Sequence, residues 1–188
     1  MKKQITIAAL FSLFSGVVSA HPGHGLGGAF AGLMHPLTGW DHLLVMLAIG
    51  FWAAKLGGNA RWQLPLTFVA IMAVGAVLGL SGLSVSGVET MIAASVMAMG
   101  MLLMINLILN KTMQLGITAI FAVFHGMAHG VEFQLQSSLA ALAGMLIATA
   151  LLHGLGFLMA TQRVKVAHSI NQSFAWLLLC VGSYLLLS

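Results

Sequence analysis

The sequence predicts an all-α integral membrane protein, with six transmembrane helices after a cleaved signal peptide and the first span broken at His35-Pro36. Three observations lead there. Hydrophobic residues fill 60% of the 188 positions and charged residues only 5%, where a soluble domain carries roughly 25% charged residues. The apolar runs are long enough to cross a bilayer, which takes about 20 residues of helix. The few Lys and Arg residues beyond the leader fall on alternate loops, as a fixed membrane orientation requires. A mean hydropathy of +1.05 excludes an ordinary soluble enzyme and makes the lipid bilayer the expected surrounding. The basic residues are scattered and form no stripe, which speaks against nucleic acid as a partner.

Residues 1–20 read as the signal peptide. Met1-Lys2-Lys3 is its basic start, Ile5 to Val18 its apolar stretch, and Val18-Ser19-Ala20 its small-residue cleavage site. Residues 21–188 then form a single six-helix transmembrane domain, with spans at about 29–54, 63–80, 88–109, 114–130, 137–160 and 171–187. Pro36 disfavours helix at His35, and Gly39 follows closely. This predicts a short outer helical piece and a second piece starting near Trp40. Asp41 and His42 then sit in a first helical turn, where the dipole favours a carboxylate. With His21 outside, the inside loops hold Lys55 and Arg61, then Lys111, then Arg163 and Lys165. The outside loops, near Ser84 and Gln134, hold no basic residue. The expectation is a multi-pass protein of the bacterial inner membrane with both mature termini in the periplasm. In that orientation Asp41, Glu89 and Glu132, the only carboxylates, all lie in the outer half of the membrane.

An ionisable side chain inside an apolar bundle costs roughly 3 kcal/mol or more, so its presence calls for a reason. Six of the eight histidines fall into tight clusters: His21 with His24, His35 and His42 with Asp41, and His125 and His129 with Glu132. Imidazole and carboxylate together make the ligand set of a divalent transition metal. His125, His129 and Glu132 stand at i, i+4 and i+7, on one helical face. The zinc-hydrolase pattern would place Glu directly after the first His, and that position is Gly126. The blander reading of this helix is a set of histidines bonded to each other or to backbone. For the first span it is a proline kink with a capping Asp41. Cleavage before His21 would let its α-amine and imidazole chelate together, with His24 nearby; the alternative is an idle chain terminus. Glu89 opens the third span as a ligand or as a simple dipole partner.

Other features read as packing. Cys180 lies in an apolar run. Met97, Met101 and Met104 form a stripe that would suit Cu(I) but fits a core better, as does Met46 one turn from His42. Gly28 with Gly32, and Gly75 with Gly79, permit close helix approach; Gly126 and Gly130 flank the span-four histidines, so there packing also shapes the site. His153 is either an exit-side waypoint or a satisfied buried histidine, and His168 reads as solvated surface.

The two motifs His35-Pro-x-x-Gly-x-Asp41-His42 and Phe124-His125-Gly-x-Ala-His129-Gly-x-Glu132 together resemble the HupE/UreJ family of nickel permeases. Those are small membrane proteins associated with hydrogenase or urease maturation. The resemblance extends over nearly the whole chain. It implies Ni2+ as substrate, with Co2+ a second candidate, and it implies roles for His35, Asp41, His42, His125, His129 and Glu132. Glu89 matches an acidic position of the family less closely. The expected function is a secondary transporter or facilitator importing Ni2+ for hydrogenase or urease metallocentre assembly. That is no enzyme: no cofactor is bound permanently, and Ni2+ is transported substrate. Protons compete with metal for imidazole lone pairs, so coupling to protons is allowed. The main alternative is an intramembrane zinc-dependent hydrolase built on the same ligands. A bis-histidine haem protein and a purely structural subunit are weaker ones. The residues also allow a homo-oligomer.

Overall fold

The computed structural model describes residues 27–105, 107, 109–134, 139–161 and 164–188, with the side chains of residues 27, 134 and 164–168 excepted. The expected signal peptide, His21, His24 and Arg163 lie outside these residues. The helices are α1 (Gly27–Met34), α2 (Trp40–Leu56), α3 (Ala60–Leu80), α4 (Val88–Ile105), α5 (Lys111–Gln134), α6 (Leu139–Ala160) and α7 (Val164–Leu187), and a 3-10 turn, His35–Leu37, separates the first two. The described residues contain no strand. Helices α3 to α7 are long and apolar enough to cross a membrane. α1 and α2, bent by 80° at the turn, make a sixth span if they count as one.

The break falls where the sequence predicts it. Pro36 stands at the start of the 3-10 turn, where a missing N–H costs nothing. The Thr38 N–H and hydroxyl both donate to the His35 carbonyl, at 3.0 and 2.7 Å. Gly39 is extended (φ −101°, ψ 118°) and launches α2, its carbonyl accepting the Leu43 N–H at 3.0 Å.

Several helix ends differ from the expected spans. α5 begins at Lys111 because Asn110 caps it, its side-chain oxygen accepting the Met113 N–H at 2.9 Å. α4 stops at Ile105, short of 109, and α7 starts at Val164, before 171. For α7, hydropathy marks the apolar slab, whereas the helix continues into polar residues as long as its own backbone bonds are made.

Large apolar side chains such as Phe30, Trp62, Leu151, Trp176 and Tyr184 lie exposed on the outside, as a lipid-facing surface would have them. Inside, glycines let the backbones meet. α3 packs most extensively against α5, along Gly75, Gly79, Gly126 and Gly130. A β-carbon at Gly126 would overlap the Met72 carbonyl oxygen, and one at Gly130 the Ala76 carbonyl oxygen. The two small-residue pairs are thus halves of one seam. A second seam joins α2 and α6, where Gly50 faces the His153 carbonyl and Gly156 the Leu47 carbonyl. Lys55 ties α2 to α7 and α4, donating to Asn171 Oδ1 at 2.9 Å and the Leu103 carbonyl at 3.3 Å. Chain direction collects Lys55, Arg61 and Lys111 at one end of the helices and Asp41, Glu89 and Glu132 toward the other.

Replacing Gly130 with Val should cost about 1–3 kcal/mol or more, because the α3–α5 seam must open. Gly116→Ala, on the same helix but facing open space, should leave stability unchanged or slightly higher. Unfolding of the two variants in detergent checks this.

Candidate metal site

The bend between α1 and α2 drops His35, Asp41 and His42 against the C-terminal half of α5. The six histidine and carboxylate residues of the two motifs come together there, in two layers. The outer layer joins His35, His129 and Glu132. His35 Nε2 lies 2.9 Å from His129 Nδ1, and it donates to Glu132 Oε2 at 2.8 Å. His129 Nδ1 lies 3.3 Å from the same oxygen. Two donors at right angles on an ion with bonds of about 2.1 Å are themselves about 3.0 Å apart. The three atoms therefore have the spacing of one face of a coordination shell. Glu132 is half exposed and His129 buried, so the layer grades from water into the bundle.

The inner layer is His42, Asp41 and His125. Asp41 sits in the first turn of α2, where its Oδ1 accepts both the His42 backbone N–H and the His42 Nδ1–H, each at 2.8 Å. His125 Nδ1 donates to the Phe121 carbonyl, one turn back on α5, at 2.8 Å. The His42 ring lies 4.3 Å from that of His129 and 5.1 Å from that of His125, centroid to centroid. With Nδ1–H engaged, a neutral imidazole at either His42 or His125 has its lone pair at Nε2. Those Nε2 atoms, and that of His129, are buried without a hydrogen-bond partner among the described residues. A histidine whose Nδ1–H is held by a carboxylate or carbonyl is oriented as metal-bound histidines are.

Glu89 is not part of either layer. It is exposed at the start of α4 and shares with Glu132 the lining of an open cleft of about 480 Å3 beside the outer layer. Among the described residues it makes no bond to the histidines. His21 and His24 lie outside the described residues. Two features of the site carried no clear sequence signal. Phe68 of α3 lies against His125, ring centroids 5.6 Å apart. Met46 supplies a backbone carbonyl to His153 at 2.7 Å.

The family model described as HupE / UreJ protein matches residues 8–185. The protein named Protein HupE from Rhizobium leguminosarum bv. viciae is 42% identical over 166 residues, covering 88% of this chain and 86% of its own. No solved structure matches.

Gly39 of the first motif has a spatial reason. A β-carbon there would fall 2.9 Å from Asp41 Oδ1 and 3.1 Å from His42 Nδ1. Gly39→Ala should thus displace the Asp41–His42 pair and weaken divalent-metal binding by about 10- to 100-fold, the range for a lost orienting partner. Calorimetric titration of folded protein in detergent checks this, with Gly116→Ala as the matched control.

Proposed function

The chain belongs to the HupE/UreJ family, and we propose that it carries Ni2+ inward across the bacterial inner membrane, for hydrogenase or urease metallocentre assembly. In this reading it is a secondary transporter or facilitator, Co2+ is a second substrate, and both termini face the periplasm. The observation that carries the reading is the assembled cluster itself: four imidazoles and two carboxylates gathered at one end of an apolar bundle, three of the imidazoles with unpartnered Nε2 atoms.

The residues divide the work by chemistry. Glu89 and Glu132 line the cleft and attract a hydrated cation from the outside. His21 and His24 would add capture capacity ahead of it. Glu132 and Asp41 offset the two charges of the ion as its water is stripped. His35 and His129, then His42 and His125, replace the lost water ligands. A facilitator must hold the ion only moderately, so ligand replacement in two layers suits it better than one closed shell.

The site fits a carrier better than a zinc hydrolase. Position 126, where the hydrolase pattern carries its general base, is pressed against the Met72 backbone and admits no side chain.

Two outcomes follow for purified protein in proteoliposomes. The parent should take up Ni2+, whereas Asp41→Ala and His129→Ala should each lose about tenfold or more, since a removed ligand or orienting partner costs at least that. Parent-like uptake by both variants, with folding verified, would sink the site assignment. Glu89→Gln should slow uptake at low Ni2+ by a smaller factor, about two- to fivefold, and the deficit should shrink as ionic strength rises.

A further inference from the structure

One buried imidazole stands outside the two layers. His153 lies in the second half of α6 and is 1% exposed. Its Nδ1 donates to the Met46 carbonyl at 2.7 Å, so the neutral ring has its lone pair at Nε2. That Nε2 is buried and has no hydrogen-bond partner among the described residues. Buried polar atoms are nearly always paired, and an orphan calls for an explanation. The Met46 bond accounts for one ring nitrogen only.

The surroundings of His153 resemble those of His125. Both rings have Nδ1–H fixed by a backbone carbonyl and Nε2 left bare. Both touch the same side chain: the Phe68 ring lies 5.6 Å from the His125 ring and 5.0 Å from the His153 ring, at 88° to the latter. Phe68 is in the first half of α3, the half near Lys55 and Arg61, and His153 is in the half of α6 nearer that same end. Thr149, one turn before His153, points its hydroxyl at the sulfurs of Met46 (3.4 Å) and Met72 (3.9 Å). His153 thus meets a carbonyl and an aromatic ring, and the polar side chain one turn before it is a neutral hydroxyl. The close α2–α6 approach at Gly50 and Gly156 holds the His153 backbone in place.

We propose that His153 is a second ion station, separated by Phe68 from the histidine–carboxylate cluster, and that its Nε2 ligates Ni2+ in transit. The proposal rests on the transport reading above. A nitrogen donor with its tautomer already set suits a borderline divalent ion. Among the described residues no carboxylate touches His153, so the station binds weakly and releases readily, as a waypoint must.

The test uses His153→Asn in the full-length protein. The Asn amide nitrogen takes the place of Nδ1 and keeps a donor for the Met46 carbonyl, while Nε2 is gone. His153→Ala, which removes both, reports the structural share through its unfolding midpoint. The expected result is a split. His153→Asn binds Ni2+ within about twofold of the parent by calorimetry, yet its uptake into proteoliposomes falls about tenfold or more, the loss of a metal ligand. Parent-like uptake by a folded His153→Asn overturns this inference alone. Loss of binding in step with uptake also overturns it, because His153 would then act through the outer cluster. No uptake by the parent overturns the transport reading, and this inference with it.

Discussion

The structure turns on four buried imidazole nitrogens that find no hydrogen-bond partner among the described residues: Nε2 of His42, His125, His129 and His153. A buried polar atom left unpaired costs about 1–3 kcal/mol. The opposite nitrogen of three of these rings is tied to an oxygen, from Asp41, the Phe121 carbonyl and the Met46 carbonyl. Each tie fixes the plane of the ring and decides which nitrogen stays bare. A fold that merely tolerated buried histidines would have no reason to orient them all in the same sense.

Bringing those rings together requires backbones to approach more closely than side chains normally allow, and glycine supplies that. Gly126 and Gly130 flank His129 on α5 and meet Met72 and Ala76 of α3. The same contact sets Phe68 against His125. On the other side, Gly50 and Gly156 draw α2 onto α6 and set Met46 against His153. The packing seams and the histidine geometry are therefore one construction. A side chain added to a seam moves a ring as well as a helix.

The local part of this was legible in the sequence. His125, His129 and Glu132 share a face because helical periodicity is local, and Pro36 with Gly39 announces the break because both act on their own backbone. What the periodicity did not carry was pairing across helices. Nothing near His35 indicates that Glu132, 97 residues on, accepts its bond. Gly75 and Gly79 read as packing alone because their partners Gly126 and Gly130 lie on another helix. Phe68 was one phenylalanine among ten. Glu89, which has no histidine beside it in the sequence, read as a ligand or a dipole partner; it lines the cleft and stays out of both layers. Helix ends drifted for a related reason, since hydropathy reports the slab while Asn110 and its cap decide where α5 starts.

Charge distinguishes the two parts of the proposed route. The outer cluster holds Asp41 and Glu132, enough to balance a divalent ion, while His153 is met by a carbonyl, a ring and neutral donors. Two unit charges at 4 Å attract by roughly 4 kcal/mol at an effective dielectric of 20. A divalent ion stepping past Phe68 would give up roughly twice that attraction to each carboxylate at such a distance, and would move toward the end that carries Lys55, Arg61 and Lys111. The step inward is then uphill, and the outer cluster is where the ion waits. On this account the cluster governs which ion is admitted, because there water ligands are exchanged for imidazole and carboxylate. In the same proposal, the neutral station beyond Phe68 would govern how fast the ion leaves. Affinity and rate are thereby assigned to different residues, which a single closed shell of six ligands could not achieve.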